Sequence, residues 1–358
     1  MSRYIVIGAG AIGGTIGAAF ADSGTEVVLV ARGDNARAIE STGLRLRSPD
    51  RTITAHPTVV RKPGEVVLGT HDVLILATKT HQALRALRDW ADEPVHDTAG
   101  AVVGTAGERL PLLLFLNGVE AARIAPRWFA RVWSTTIWLP ALHTEPGEVV
   151  VRMHPALGGF FTGPVTAAAR TDSVLDEVAA DFRGAGFEFV PVEDIAEHAW
   201  AKLLSNLANG LDAILGPGAD LTELAREMRT EAKAVYRMAG IEYLSNGPAR
   251  YGIADRLQMG EVPGVEEFGS SSWQSLARGT GSIETDYLTG EIVQLAHATG
   301  AAAERCVLVS RWCRALAAGS DLGGEIPAGQ AERKAALEAA FARFPDAGEP
   351  PTPSRIAP

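Results

Sequence analysis

The first thirty or so residues restrict this chain more than any other part of it. Tyr4-Ile-Val-Ile-Gly8 is a short, uniformly apolar run, as expected for a central parallel strand. Gly8-Ala-Gly10-Ala-Ile-Gly13-Gly14 follows, then a helical stretch from Thr15 to Ser23, then a second strand from Glu26 to Ala31. Strand, GxGxxG, helix and strand in that order form a dinucleotide-binding βαβ unit. Gly8 permits the tight turn, Gly10 lets a pyrophosphate approach the backbone, and Gly13 lets helix and strand pack closely. The phosphates would sit at the helix N-terminus, where free N–H groups and the dipole favour an anion. Ala11 and Ile12 therefore join the three glycines as cofactor-binding residues. A glycine-rich turn without a ligand is the competing reading.

The end of the second strand selects the cofactor. A carboxylate there would bind a ribose 2′-hydroxyl, whereas this strand ends in Val30-Ala31-Arg32. A guanidinium suits a 2′-phosphate through paired charge-assisted hydrogen bonds, which points to NADPH over NADH. Asp34 is the rival, as a ribose ligand or as a turn residue. Short alternating runs between 40 and 70 read as a hairpin-like excursion. Asp72–Ala77 is another buried strand, and Lys79 lies just beyond its carboxyl end, where ligands of open parallel sheets sit; an exposed lysine at a helix start is the alternative. Residues 92–109 read as a loop insertion. Leu112–Leu116 is the next strand, ending in Asn117-Gly118, where Asn117 could reach a nicotinamide ribose and a substrate, or simply make a turn. Strand-like runs at 133–138 and 148–152 are expected to complete the sheet in antiparallel fashion. Ser173 is expected to cap a helix reaching Phe182, and 187–191 to form a last strand.

Beyond Pro191 the pattern is helical, over 195–215, 219–245, 248–256, 284–298 and 303–318. In the first of these, Trp200, Leu204, Leu207 and Leu211 make an apolar stripe. Lys202, Asn206 and Asn209 share another face, within about 60° of one another. One cation and two carboxamides on one face are either a solvated surface or a site. Residues 257–282 break the helical pattern, and a loop of that length inside a compact domain is usually functional. It ends at Ser282, expected to be an N-cap. Glu284 then lies in a first helical turn, where the dipole favours its ionised form.

Composition excludes several classes. The 358 residues carry a net charge of −10, 46% are apolar and 21% charged. That balance argues against a nucleic-acid partner. No apolar run reaches the ~20 residues of a membrane helix, the N-terminus leaves no room for a signal peptide, and the histidines show no metal spacing. A soluble cytoplasmic protein is the default. Cys306 and Cys313 fall on one face of one helix, too far apart for a disulfide, and read as core thiols.

Taken in order, Gly8-x-Gly10-x-x-Gly13-Gly14, Arg32, Lys79, Asn117-Gly118, Trp200-x-Lys202-Leu-x-x-Asn206, Ser272 and Glu284-x-Asp286-Tyr287-x-x-Gly290 resemble the ketopantoate reductases (2-dehydropantoate 2-reductases), from Ile5 to about Ala318. The resemblance implies an α/β N-terminal Rossmann domain followed by an all-α C-terminal domain, with the active site in the interdomain cleft. The expected boundaries are 1–192, 193–322, and 323–358 for a C-terminal helix (Gln330 to Arg343) and a Pro-rich, disordered tail. The implied activity is NADPH-dependent reduction of a small 2-oxo acid, in pantothenate biosynthesis. Lys202 would be the general acid, supported by Asn117 and Glu284, which also belong to the cofactor site. Asn206 and Ser272 would bind substrate, with Asn209 a further candidate, and Arg32 and Lys79 would hold the NADPH phosphates. A homodimer is compatible with the helical domain.

Two departures concern the substrate side. The family usually places a second Asn eight residues after the Lys, where this chain has Gly210 and carries Asn209 one residue earlier. Trp273-Gln-Ser-Leu276 replaces the usual Met-x-x-Asp after Ser272. A relative acting on a different ketone or imine is the second reading. A catalytically silent NADP(H)-binding regulator is a third, which Lys202 and Glu284 together disfavour.

Overall fold

A computed structural model of the chain describes residues 2–244, 247–265, 269–279 and 281–344. The Pro-rich stretch 345–358 lies outside the described residues. The chain divides into two compact units, Met1–Ala199 with Ser245–Val265, and Trp200–Leu244 with Glu266–Pro358.

The first unit is built on an eight-stranded sheet. Its order is Glu188–Pro191, Gly159–Pro164, Arg131–Trp138, Pro111–Leu114, Asp72–Leu76, Arg3–Ile7, Val27–Val30, Thr58–Val60. Neighbours run parallel throughout, except Arg131–Trp138 against Gly159–Pro164. The middle strands are buried on both faces, which is why they read as continuous apolar runs. The polar entry to this core is neutralised where it starts. Asp72 is buried and accepts two hydrogen bonds from Arg3, Nε and Nη2 each at 2.7 Å.

The helix Ala11–Ser23 lies between this sheet and a second one, ordered Ala141–Glu145, Glu148–Val151, Leu44–Arg47, Thr52–Ala55. Its glycines make both contacts possible. A Cβ at Gly13 would stand 1.8 Å from the Gly8 carbonyl oxygen, and one at Gly14 would stand 2.8 Å from Val149 Cγ1. Asn35 then ties the layers together: its Nδ2 donates to Ala9 O and its Oδ1 accepts from Gly147 N–H, both at 2.8 Å.

Several sequence expectations change here. Residues 131–138 join the main sheet parallel to Pro111–Leu114 and, as expected, antiparallel to a neighbour, Gly159–Pro164, whereas 148–151 leave it to pair with 44–47. The alternating runs at 44–47 and 52–55 do form an antiparallel pair. Residues 92–109 form structure of their own: Pro94–His96 and Val102–Thr105 join Leu68–Gly69 in a small sheet, and Ala106–Arg109 is a helical turn. Ser173 makes no side-chain cap; the neighbouring Asp172 Oδ1 accepts the Val174 N–H instead, at 2.9 Å. Residues 248–256 are two 3-10 turns, not a helix, followed by Leu257–Met259 paired with Met153–Pro155 in the first unit. His198 is held in this unit too. Its ring stacks on Phe161 and Tyr251, and its Nε2 lies 2.7 Å from the Tyr251 hydroxyl. Burial pushes the His198 pKa down, towards the neutral ring.

The second unit is mostly helical: the remainder of Ile195–Asn206, then Ala208–Leu215, Thr222–Ala239, Ser271–Ala277, Thr289–Thr299, Glu304–Ala317 and Gln330–Phe341. Its core includes Leu203, Leu211, Met228, Val309, Trp312 and Leu337. Cys306 and Cys313 are buried there as free thiols on one helix. Glu231 is almost fully buried and caps that helix across the chain, accepting the Arg305 N–H at 3.0 Å and the Cys306 N–H at 2.9 Å. The Arg305 side chain balances the charge, with Nε 3.0 Å from Glu227 Oε2 and Nη1 3.5 Å from Glu231 Oε2. The helix start at 284 is also different from the expectation. Ile283, not Ser282, precedes a 3-10 turn over Glu284–Tyr287, and the α-helix begins at Thr289.

The Gly13 contact gives a direct test. Gly13→Ala should destabilise the protein by about 1–3 kcal/mol, because the methyl must displace backbone. Gly10→Ala, with nothing within 4 Å of its Cβ, should leave thermal unfolding unchanged. Equal melting temperatures for the two variants would contradict the close approach.

Candidate active site

One group of candidate residues grows from the tips of the parallel strands. Gly8 takes φ +110, a conformation closed to most side chains, and its Cβ position is filled by Ala77 O at 2.9 Å. The helix that follows starts at Ala11 with Gly10 as N-cap, without a side-chain cap and without an acid in its first turn. Its first N–H groups and positive dipole end are thus left to an anion. Beside this turn stands Thr78, whose Oγ1 is buried with no hydrogen-bond partner among the described residues. Its Cγ2 lies 3.1 Å from where a Gly8 Cβ would be. Open space at Gly10, an uncapped helix start and an orphaned hydroxyl fit a dinucleotide phosphate.

Arg32 is exposed in extended conformation at the end of Val27–Val30, and its Nε donates to Arg61 O at 3.3 Å. Its rival Asp34 is ion-paired with Arg37 on the first turn of Gly33–Thr42. Lys79 is partly buried at the N-cap of Thr80–Ala91, with its N–H 3.4 Å from Gln82 Oε1. Thr80 Oγ1 donates to Asn117 O at 3.2 Å, so Lys79 and Asn117 stand on two strand tips joined by one hydrogen bond.

A second group of candidate residues belongs to the helical unit. Lys202 and Asn206 lie one turn apart on Ile195–Asn206. Lys202 is partly buried, and burial lowers its ammonium pKa from the ordinary 10.5 to about 8. Asn206 is buried, and its Nδ2 has no hydrogen-bond partner among the described residues. A buried amide donor without a protein acceptor is costly unless a ligand supplies one.

The expected single helix over 195–215 is broken at Leu207, and a second helix runs Ala208–Leu215. Asn209 therefore sits on a different helix from Lys202. Gly210 faces the interior: its Cβ would meet Val309 Cγ1 at 2.8 Å, Cys313 Sγ at 3.5 Å and Thr289 Oγ1 at 3.5 Å. Position 210 thus serves helix packing in this chain.

Within the expected loop, Ser271–Ala277 is helical and Ser272 is buried. Sequence reasoning missed Asp212, whose Oδ2 accepts the Ser270 N–H at 2.5 Å. Asp212 stands three residues after Asn209, but nothing in the spacing showed that a segment sixty residues on would return to it. Thr78 was missed as well; an isolated threonine before a lysine carries no signal of its own. Glu284 is buried at the head of its 3-10 turn. Among the described residues no cluster of His, Cys, Asp or Glu could hold a metal ion. No helix among them is long and apolar enough to cross a membrane.

Comparison with known proteins adds the following. The family model described as "Ketopantoate reductase PanE/ApbA" matches residues 4–160, and "Ketopantoate reductase PanE/ApbA C terminal" matches residues 194–317. A 2-dehydropantoate 2-reductase of Mesorhizobium japonicum is 29% identical over 318 residues, covering 82% of this chain and 91% of its own. A PanE/ApbA family ketopantoate reductase from Ralstonia eutropha JMP134 superposes with TM-score 0.69 at 26% identity, covering 88% of this chain and 98% of that one. A D-mandelate dehydrogenase solved with NADH and anilino(oxo)acetate shares the fold, with TM-score 0.68 at 20% identity and coverage of 88% and 99%.

The packing at position 210 can be checked by restoring the residue that the resemblance leads one to expect. Gly210→Asn should lower stability by about 1–3 kcal/mol through overpacking. A variant of unchanged melting temperature would show that position 210 has room for a side chain.

Proposed function

The chain belongs to the ketopantoate reductase family, and on that premise we propose that it reduces a small 2-oxo acid to the 2-hydroxy acid with NADPH, as a 2-dehydropantoate 2-reductase-like enzyme. The observation that carries the reading is Lys202, partly buried and with its pKa lowered to about 8, one turn from the unpartnered amide of Asn206. A reduced nicotinamide supplies hydride to a carbonyl carbon. The carbonyl oxygen then needs a proton and a positive neighbour as it becomes an alkoxide. The Lys202 ammonium provides both, and it is reprotonated from water once the product leaves. A pKa near the operating pH suits that exchange.

The other residues take supporting roles. Asn206 donates its amide to a substrate oxygen, which satisfies the group that the fold leaves bare. Ser272 and Asn209 contribute further polar contacts to a small acid. Glu284 and Asn117 hold the reacting groups in place. Arg32 pairs with a 2′-phosphate, a role favoured by Asp34 being engaged with Arg37, and Lys79 meets the phosphates.

One observation favours a second reading, a substrate other than ketopantoate. Gly210 packs against Val309, and Asn209 stands one residue before it, about 100° away around the helix. The polar contacts available to a substrate therefore differ in direction from the family pattern. A panel of 2-oxo acids, ketopantoate included, assayed by NADPH oxidation separates the two readings.

Two measurements test the mechanism. The rate of reduction should be flat below pH 8 and fall about tenfold per unit above it, as Lys202 loses its proton; Lys202→Ala should lose roughly 10²–10⁴ in rate with NADPH binding intact. A near-wild-type rate for that variant would remove Lys202 from the chemistry. Arg32→Ala should weaken NADPH binding by about 10- to 100-fold, the worth of charged hydrogen bonds, and leave NADH binding unchanged. Equal losses for both cofactors would place Arg32 away from the 2′-phosphate.

A further inference from the structure

Ser272 is the one proposed substrate ligand that stands outside the Lys202 and Asn209 helices, on the short helix Ser271–Ala277. Its position depends on how the start of that helix is held. Ser270 is the N-cap, its Oγ accepting the Trp273 N–H at 3.3 Å. The same hydroxyl donates to Asn209 O at 3.3 Å. The Ser270 N–H donates to Asp212 Oδ2 at 2.5 Å, a charge-assisted bond. Gly269 allows the approach: a Cβ there would stand 2.6 Å from Asp212 Oδ2 and 2.8 Å from Trp273 Cβ. Gln274 Nε2 closes the turn on Gly269 O at 3.3 Å. The turn is thus locked at its first residues to one helix, Ala208–Leu215, and Ser272 follows two residues later.

We infer that Asp212 is a positioning residue: through the Ser270 N–H it fixes the Gly269–Ser272 turn and so sets Ser272 against the substrate. The inference rests on the proposed 2-oxo acid reduction and goes beyond it, since Asp212 lies in none of the motifs that carry the family resemblance. Asp212 touches no reacting atom in this scheme. Its carboxylate is the strongest acceptor available for that N–H, and removing it leaves the donor at the head of the helix without its partner. The helix then frays from its N-terminus, and Ser272 lies in the first turn. The consequence is confined to substrate binding. Lys202 stands on the preceding helix, Glu284 lies beyond the short helix, and the glycine turn, Arg32, Lys79 and Asn117 lie in the other unit.

The test compares Asp212→Ala, Asp212→Asn, Ser272→Ala and the double variant Asp212→Ala/Ser272→Ala in the full-length protein. KM for the best 2-oxo acid, kcat, NADPH affinity, and hydrogen exchange of the 269–277 amides are measured. Asp212→Ala should raise KM about tenfold with kcat within about threefold and NADPH affinity unchanged. Asp212→Asn keeps an acceptor oxygen and should recover most of that loss. The double variant should be no worse than Ser272→Ala alone, as expected when one residue acts through the other. Exchange at 270–277 should accelerate in Asp212→Ala and stay at the wild-type rate in Ser272→Ala. Additive losses in KM, or a wild-type KM for Asp212→Ala, would overturn the inference while leaving the reductase reading intact. Wild-type protein that turns over no 2-oxo acid would instead overturn the reductase reading. Hydrogen exchange then decides alone, and unchanged exchange in Asp212→Ala would overturn the positioning role.

Discussion

The contact between Gly13 and the Gly8 carbonyl is the constraint on which the first unit depends. It draws the helix Ala11–Ser23 so close to the central strand that no side chain fits between them. Two outcomes follow from that closeness. The helix N-terminus is held beside the strand tips, where Thr78, Lys79 and Asn117 also end. The helix is also thin enough to be covered on its other side, where Val149 reaches over Gly14. One row of glycines therefore leaves an uncapped helix start at the strand tips and allows a three-layer core. The strand residues contribute the usual hydrophobic stabilisation of doubly covered parallel sheets.

The helical unit solves a different problem, that of holding polar groups in an apolar bundle. Glu231 is buried, yet both its oxygens are engaged with the start of Glu304–Ala317 and with Arg305. Burial raises its pKa while the backbone N–H groups oppose the rise. The Arg305 guanidinium also lies over Phe341 and Phe344, 5.7 and 5.9 Å from the ring centroids, and its Nη2 donates to Phe341 O. The helix Gln330–Phe341, beyond the family match that ends at 317, is thereby fastened to the bundle. Asn206 is the contrasting case, an amide with a donor left over. Thr285 Oγ1 and Ser310 Oγ are also buried without a hydrogen-bond partner among the described residues, and Asn206 is the case that lies one turn from Lys202.

Much of this was legible in the sequence, for a physical reason. GxGxxG between a strand and a helix encodes local backbone geometry, and local geometry is written in consecutive residues. The buried parallel strands were equally plain as uninterrupted apolar runs. What escaped was long-range. Glu148–Val151 is the same short apolar run whether it joins the main sheet or pairs with Leu44–Arg47 a hundred residues earlier. The break at Leu207 has no proline or glycine at that position to announce it, and the apolar stripe runs through it undisturbed. Helical spacing singled out the lysine and its two amides as candidates, and the fold sets Asn209 on the following helix. Asp212 became visible only with Ser270 beside it, and the inward direction of Gly210 only with Val309 in place.

Asn35 carries a consequence for how the protein is made. Its side chain bridges Ala9, in the fingerprint turn, and Gly147, more than a hundred residues further on. A nascent chain that has emerged only as far as the first two strands already possesses every glycine of the motif. It lacks the hairpin that braces the turn from outside, so the motif waits for residues synthesised seconds later at ribosomal rates of about 5–20 per second. Bracing of the fingerprint turn is therefore tied to the arrival of strands made more than a hundred residues after it.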